Sequence, residues 1–327
     1  MTQSTTAALK APTLHDVYLA RERVAPYVPR SPLMRHPLLD EATGLTIWVK
    51  HENHNPTGAF KVRGGLNLVG AMSLEERARG IVTASTGNHG QSIALASRIH
   101  GVQCTVFVPD GNNPEKNAAI RAFGAVLEEG GRDFDEARER CEQRALRTGA
   151  RYVHSADEPL LIAGVGTYAL EVFEELPDAD VIFVPIGGGS GACGLITVRN
   201  ALGSNAKIIG VGAVNADAVY RSWKGPDRVV GHSADTFAEG IATRVSFDLP
   251  FSIYREHLDG FIQLTEEELA DGVRLALKTT HNLAEGAGAA AIAAAYQQRE
   301  TVSGRRVVCI MSGGNIDRAK LRWILGC

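Results

Sequence analysis

The sequence predicts an α/β protein of two open, mainly parallel α/β lobes that face each other across a cleft. Short apolar, β-branched runs alternate with longer amphipathic segments, the 327 residues exceed a typical single domain, and glycine-rich loops follow three of the predicted strands.

The predicted strands, in chain order, are Leu45 to Val49, Gly80 to Thr83, Cys104 to Val108, Tyr152 to Val153, Val181 to Pro185, Lys207 to Val211, Phe261 to Leu264 and Arg306 to Met311. Helix-length segments separate them, as parallel neighbours require. Helix starts are read at Ser73-Leu-Glu-Glu76 and Thr265-Glu-Glu-Glu268, where a hydroxyl accepts from backbone N–H groups and the acid three residues on reaches back. The charged Asp133 to Arg147 segment reads as a solvated helix face and not as a binding patch.

Composition narrows the function classes. With 44% hydrophobic and 22% charged residues the chain can bury a sizeable core, which argues against disorder and fibrous repeats. The net charge of -3 comes with no basic run, so neither nucleic acid nor an anionic membrane surface is an expected partner. The five cysteines (Cys104, Cys141, Cys193, Cys309, Cys327) include no Cys-x-x-Cys pair and read as reduced thiols. The polar stretch Met1 to Pro12 has no signal-peptide core, and no later run has the length of a membrane span, so a soluble cytoplasmic protein is expected.

Ligands in open parallel sheets bind beyond the carboxyl ends of strands, and the glycine-rich loops fall there. Gly187 to Gly194, between the Val181 strand and a helix start, lets backbone N–H groups approach an anion closely. Its competing reading is a tight turn. Gly189-x-Gly191-x-x-Gly194 also matches the dinucleotide fingerprint, but the acid that should close the next strand is absent: Gly212-Ala-Val-Asn215 stands there, with Asp217 further on. Ser85-Thr-Gly-Asn-His-Gly90 offers hydroxyls, an amide, an imidazole and helix-start N–H groups suited to a carboxylate, although a simple N-cap turn accounts for much of it. Lys61, in Pro56-Thr-Gly-Ala-Phe-Lys61-Val-Arg-Gly-Gly65, gains a chemical role only in the company of those loops.

At Ala59-Phe-Lys-Val-Arg-Gly64 the sequence resembles the fold-type II pyridoxal-phosphate enzymes (tryptophan synthase β-like), within them the serine/threonine dehydratase and serine racemase group. Ser85 to His89, Gly187 to Gly191, Glu285-Gly-Ala-Gly288 and Ser312-Gly-Gly-Asn315 follow in the group's order and spacing. The resemblance implies pyridoxal 5'-phosphate held between the lobes by Lys61 as a Schiff base. Phe60 would pack on its ring, Asn88 bond the ring hydroxyl, Gly187, Gly188, Gly189, Ser190 and Gly191 cradle the phosphate, Ser312 face the ring nitrogen, and Glu285 line the site. Ser85, Thr86, Gly87 and His89 would bind the substrate carboxylate. The lobes would comprise residues 1–72 with 158–327 (large, cofactor-binding) and 73–157 (small).

The implied reaction is elimination of water from a β-hydroxy-α-amino acid such as L-threonine or L-serine, with Lys61 as base and a 2-oxo acid and ammonia as products. Group racemases carry a serine where Thr86 stands, which favours elimination here. Metal-using members have acids at the positions of Gly212 and Ala218, so no metal is expected. His54, Asn55 and Ala59 depart from the pattern ahead of the lysine and suggest a remodelled pocket, suited to a bulkier substrate such as phenylserine or an acidic one such as hydroxyaspartate. With the chain closing soon after Ser312, no regulatory domain resembling that of biosynthetic threonine dehydratases is expected. Homo-oligomers, dimers or larger, are the group's habit. A β-replacement synthase, a racemase and a non-catalytic amino-acid sensor are the competing readings.

Overall fold

The computed structural model describes residues 9–327; of the polar stretch Met1 to Pro12, residues 1–8 lie outside the described residues. Among the described residues ten strands form, β1 (Leu33–Arg35), β2 (Thr46–His51), β3 (Ile81–Ala84), β4 (Cys104–Val108), β5 (Val126–Glu129), β6 (Arg151–Tyr152), β7 (Val181–Pro185), β8 (Lys207–Ala213), β9 (Gly260–Leu264) and β10 (Arg306–Met311). They make a six-stranded sheet in the order β1-β2-β10-β7-β8-β9 and a four-stranded sheet in the order β5-β4-β3-β6. Every adjacent pair is parallel except β1 with β2.

All eight expected strands are present within a residue or two of their expected bounds, and two were unforeseen. β1 is three residues long on a sheet edge, and β5 is a partly exposed edge strand ending in Glu128 and Glu129. Neither shows the apolar run that betrays a strand covered on both faces, such as the fully buried β3. The capping boxes at Ser73 with Glu76 and at Thr265 with Glu268 form as read, and a third closes at Thr13 with Asp16.

Small residues bring the site's elements together. The Gly286–Gln297 helix is buried from Gly286 through Ala295. Its Gly288 lies against Gly313, whose carbonyl oxygen would be 2.0 Å from an added Cβ. The Lys61–Ala71 helix is wedged between two others. A Cβ on its Gly65 would come within 2.4 Å of Ser92 Oγ, and one on Gly164 within 2.5 Å of the Arg63 carbonyl oxygen. Val62, Leu66 and Val69 of this helix join the apolar cluster beneath the four-stranded sheet, and its Arg63 and Gly64 lie against Gly164 of the Pro159–Glu175 helix, which packs in the core of the six-stranded sheet.

A buried ionic network fixes the start of that helix. Arg63 grips Glu52 through Nε at 2.7 Å and Nη2 at 2.9 Å, and grips Glu171 through Nη1 at 2.7 Å and Nη2 at 2.9 Å. Lys50 Nζ adds bonds to Glu171 at 2.6 Å and to the Ser31 carbonyl at 2.7 Å. Two cations thus face two carboxylates, with Lys50, Glu52 and Arg63 sealed from solvent. Burial alone would raise the Glu52 carboxyl pKa, but the Arg63 charge and its hydrogen bonds outweigh it and hold the group below the usual range. Removing one partner strands the other charges in the interior, a loss of about 3–5 kcal/mol. Arg63→Ala is therefore expected to lower stability by about that amount, and Arg63→Lys to recover only part of it because an ammonium cannot make both forks. Urea unfolding measures this, and an unchanged midpoint for Arg63→Ala would remove the network from its supporting role.

Candidate active site

Three carboxyl strand ends face one cleft of about 890 Å³: β7 leads to Gly187, β3 to Ser85 and β10 to Ser312. Lys61 opens its helix on the same cleft. Its Nζ donates to Ser190 Oγ at 2.9 Å and lies 5.2 Å from the centre of the Phe60 ring. Burial, with no carboxylate to offset it, pulls the amine down to about 8. Near physiological pH roughly a fifth of such an amine is neutral, against about a thousandth for an ordinary lysine, and the neutral form is the nucleophilic and basic one.

The segment carrying Lys61 is laced to the Ser312 loop. Phe60 N–H donates to the Ser312 carbonyl at 3.0 Å, and Gly314 N–H donates to the Gly58 carbonyl at 2.9 Å. Gly58 takes φ +67°, and a Cβ there would stand 2.6 Å from Asn315 Oδ1, so the position needs glycine on both counts. Ser312 lines the cleft, and its hydroxyl makes no hydrogen bond among the described residues.

The Gly187 loop has the form of an anion cradle. The N–H groups of Gly188, Gly189, Ser190 and Gly191 donate to nothing among the described residues, at the start of the Ser190–Ala201 helix. Gly189 sits at φ +91°, and a Cβ on Gly187 would collide with the Gly240 carbonyl oxygen at 2.2 Å. Unspent donors at the positive end of a helix suit a phosphate.

The Ser85 loop divides between capping and binding. Ser85 Oγ accepts from Gly90 N–H at 2.9 Å and Gly87 N–H at 3.3 Å, which makes this hydroxyl the internal cap of the Asn88–Ile99 helix. The N–H groups of Thr86, Asn88 and His89 remain unspent, as does the Thr86 hydroxyl. The His89 imidazole turns to Thr83 Oγ1 at 2.9 Å; burial, then the Lys61 charge, lower it to about 3 and keep it neutral. His89 therefore offers the cleft its backbone, and its side chain serves the packing under β3.

Asn88 Nδ2 donates to Glu285 Oε1 at 2.8 Å, and Asn88 Oδ1 accepts from Asn315 Nδ2 at 2.7 Å, so the amide orientation is fixed by its neighbours. Burial pushes the Glu285 carboxyl up. Glycine patterns and helix starts in the sequence marked these groups and included Asn315 without a role, but they did not mark Lys116, His154, Phe247 or Arg138. An added Cβ on Gly87 would meet the Lys116 side chain at 3.7 Å. The Asp133 to Arg147 segment is more than a solvated face: Phe134 and Arg138 of the Phe134–Thr148 helix stand on the cleft wall. In sequence their charged neighbours conceal them.

Residues 24–313 match the model of a family described as pyridoxal-phosphate dependent enzymes. The chain belongs to this family. Its cofactor is pyridoxal 5'-phosphate, and the cleft fits one: four free N–H donors suit the phosphate, and a lone buried amine of depressed pKa suits the aldehyde. An L-threonine ammonia-lyase of Thermotoga maritima is 38% identical over 93% of this chain and 76% of its own. A β-hydroxyaspartate dehydratase of Paracoccus denitrificans is 31% identical over 95% of this chain and 99% of its own. Among solved structures, the processed form of threonine deaminase isoform 2 from Solanum lycopersicum superposes with a TM-score of 0.91 at 29% identity, covering 98% of this chain and 90% of that one.

Only the neutral amine of Lys61 can attack an aldehyde, so uptake of pyridoxal phosphate by apoprotein is expected to quicken as pH rises through about 8 and then level off. Stopped-flow absorbance of the cofactor band tests this. A rate that is flat across that interval would show that the amine titrates elsewhere.

Proposed function

We propose that this enzyme is a pyridoxal-phosphate-dependent dehydratase, or ammonia-lyase, that converts a β-hydroxy-α-amino acid such as L-threonine or L-serine to a 2-oxo acid and ammonia. The observation that carries the reading is the Lys61 amine, lowered to about 8 and enclosed beside a phosphate cradle and a carboxylate-sized set of N–H donors.

Pyridoxal phosphate, when bound, supplies the electron sink that makes an α-proton removable. Lys61 would hold its aldehyde, and the N–H groups of residues 188–191 with Ser190 would hold its phosphate. Phe60 and Asn88 would border its ring. The free hydroxyl of Ser312 would face the ring nitrogen as a neutral donor. Lys61 would serve as the base that takes the α-proton, and Ser190 Oγ, at 2.9 Å from its amine, would keep it aimed. The N–H groups of Thr86, Asn88 and His89, at a helix start, grip the α-carboxylate and fix which substituent faces Lys61. The β-hydroxyl departs as water by taking up a proton, which balances the α-proton taken by Lys61, and the remaining enamine is hydrolysed to the 2-oxo acid and ammonia.

Gly212 and Ala218 bring no ligating side chain to the end of β8, and among the described residues no group of three or more His, Cys, Asp or Glu is arranged for a metal. No helix among them is long and apolar enough to cross a membrane. A cytoplasmic homo-oligomer belongs to the same proposal, and four buried free cysteines accord with a reducing compartment.

Assay of 2-oxo acid and ammonia from serine, threonine, β-hydroxyaspartate and phenylserine, with no second substrate, separates water elimination from β-replacement. Lys61→Ala is expected to cut turnover by at least roughly 100- to 10,000-fold, the usual worth of a positioned base. Undiminished turnover in that variant would refute the mechanism, and a requirement for an added nucleophile would favour the synthase.

A further inference from the structure

One face of the Pro159–Glu175 helix serves two partners. Gly164, Thr167, Tyr168 and Glu171 fall at the i, i+3, i+4, i+7 spacing that lines residues up on one stripe. Gly164 lies against the backbone of Arg63 and Gly64, and Thr167 and Glu171 hold the Arg63 guanidinium, so the stripe grips the helix that Lys61 opens. Tyr168 turns instead to the phosphate cradle, where its hydroxyl donates to the Gly191 carbonyl at 2.8 Å. Beside it Gly166 packs on the cradle's helix: a Cβ on Gly194 would stand 2.8 Å from the Gly166 nitrogen.

Tyr168 is buried, and its ring meets the Phe60 ring edge-on at 6.3 Å. Burial raises its pKa well above the usual value, so the hydroxyl stays a neutral donor. Phenylalanine would fill the same space with no polar atom to bury. Nor does the carbonyl require this bond, since Gly191 lies in the first turn of the Ser190–Ala201 helix and its carbonyl falls within that helix's own ladder.

What the bond supplies is position. Gly187, Gly188, Gly189 and Gly191 give the loop wide conformational freedom, which must be lost when several N–H groups converge on one anion. A Cβ on Gly191 would stand 3.6 Å from the Tyr168 hydroxyl and 3.7 Å from the Phe60 ring, so the two aromatic side chains close over the space a side chain would take.

We propose that Tyr168 is a positioning residue for pyridoxal phosphate: by fastening Gly191 to the helix that also grips Arg63, it sets the distance between the phosphate cradle and the Lys61 amine. A rigid cofactor held at both ends gains affinity when that span is fixed before it arrives. The inference rests on the placement of the phosphate at the Gly187 loop and is independent of the reaction.

Pyridoxal, which has the aldehyde but lacks the phosphate, separates the two ends. Full-length protein stripped of cofactor is titrated with each form and the visible cofactor band followed. In Tyr168→Phe the Kd for pyridoxal phosphate is expected to rise by roughly 3- to 10-fold, the worth of one hydrogen bond, with the Kd for pyridoxal unchanged within about two-fold. Both constants unmoved, or both raised equally, would overturn the assignment, the second outcome leaving Tyr168 a packing residue only. A wild type that binds the two forms equally well would remove the phosphate from the Gly187 loop and the proposal with it. Tyr168→Met, which fills the site without a hydroxyl, gives the same comparison should Tyr168→Phe not fold.

Discussion

The Arg63 guanidinium, clamped between Glu52 and Glu171, is the constraint on which the site depends. Glu52 follows directly on β2, Glu171 lies on the Pro159–Glu175 helix, and Arg63 sits two residues beyond Lys61. One side chain therefore ties a strand end, a long helix and the first turn of the helix that bears Lys61. The arrangement is costly to desolvate, and apolar replacements of equal volume could stabilise the fold as well. What they would not supply is direction, because two planar forks admit one orientation of the helix start. The Lys61 amine, at the end of a flexible stem, is aimed from a backbone that cannot turn.

Around that fixed point the electrostatics are those of unpaired donors. The amine is depressed because no carboxylate stands near enough to offset burial, and the cradle N–H groups add positive potential. Such a site repels cations and awaits anions at two places: the Gly187 loop for a phosphate, the Ser85 loop for a carboxylate. Glu285 is the exception. Burial raises its carboxyl pKa, and its contact with Asn88 orients that amide at the ring position while adding less negative charge than an exposed carboxylate would. The bonds from Asn88 through Asn315 to the Thr57 carbonyl carry this orientation back to the segment that bears Lys61.

What the sequence disclosed follows from where each signal resides. β4, β7 and β10 have the bounds expected of them because buried parallel strands are uninterrupted apolar runs. The edge strands β1 and β5 lack that run. Glycine loops at strand ends were legible because positive φ and close backbone approach admit few other residues. Lys61 was legible through its neighbours alone. Ser85 and His89 show the limit of position-by-position transfer, since the hydroxyl of one caps a helix and the ring of the other packs on Thr83. Arg138 was hidden because a helix rich in Arg and Glu looks solvated on every face, and only the fold shows which face turns inward.

Both sheets contribute walls to the cleft. Ser190 and Ser312 follow strands of the six-stranded sheet, and Lys61 is laced to the Ser312 loop. Tyr152 lies on β6 of the four-stranded sheet, His154 follows it, and Arg138 belongs to the helix before it. Polar contacts join the two sides beside the cleft: Lys116 to Glu239, Asn113 to Asp317 at 3.0 Å and Arg318 to Glu115 at 3.0 Å. These are mostly exposed pairs, individually worth little, so they can yield without loss of the fold.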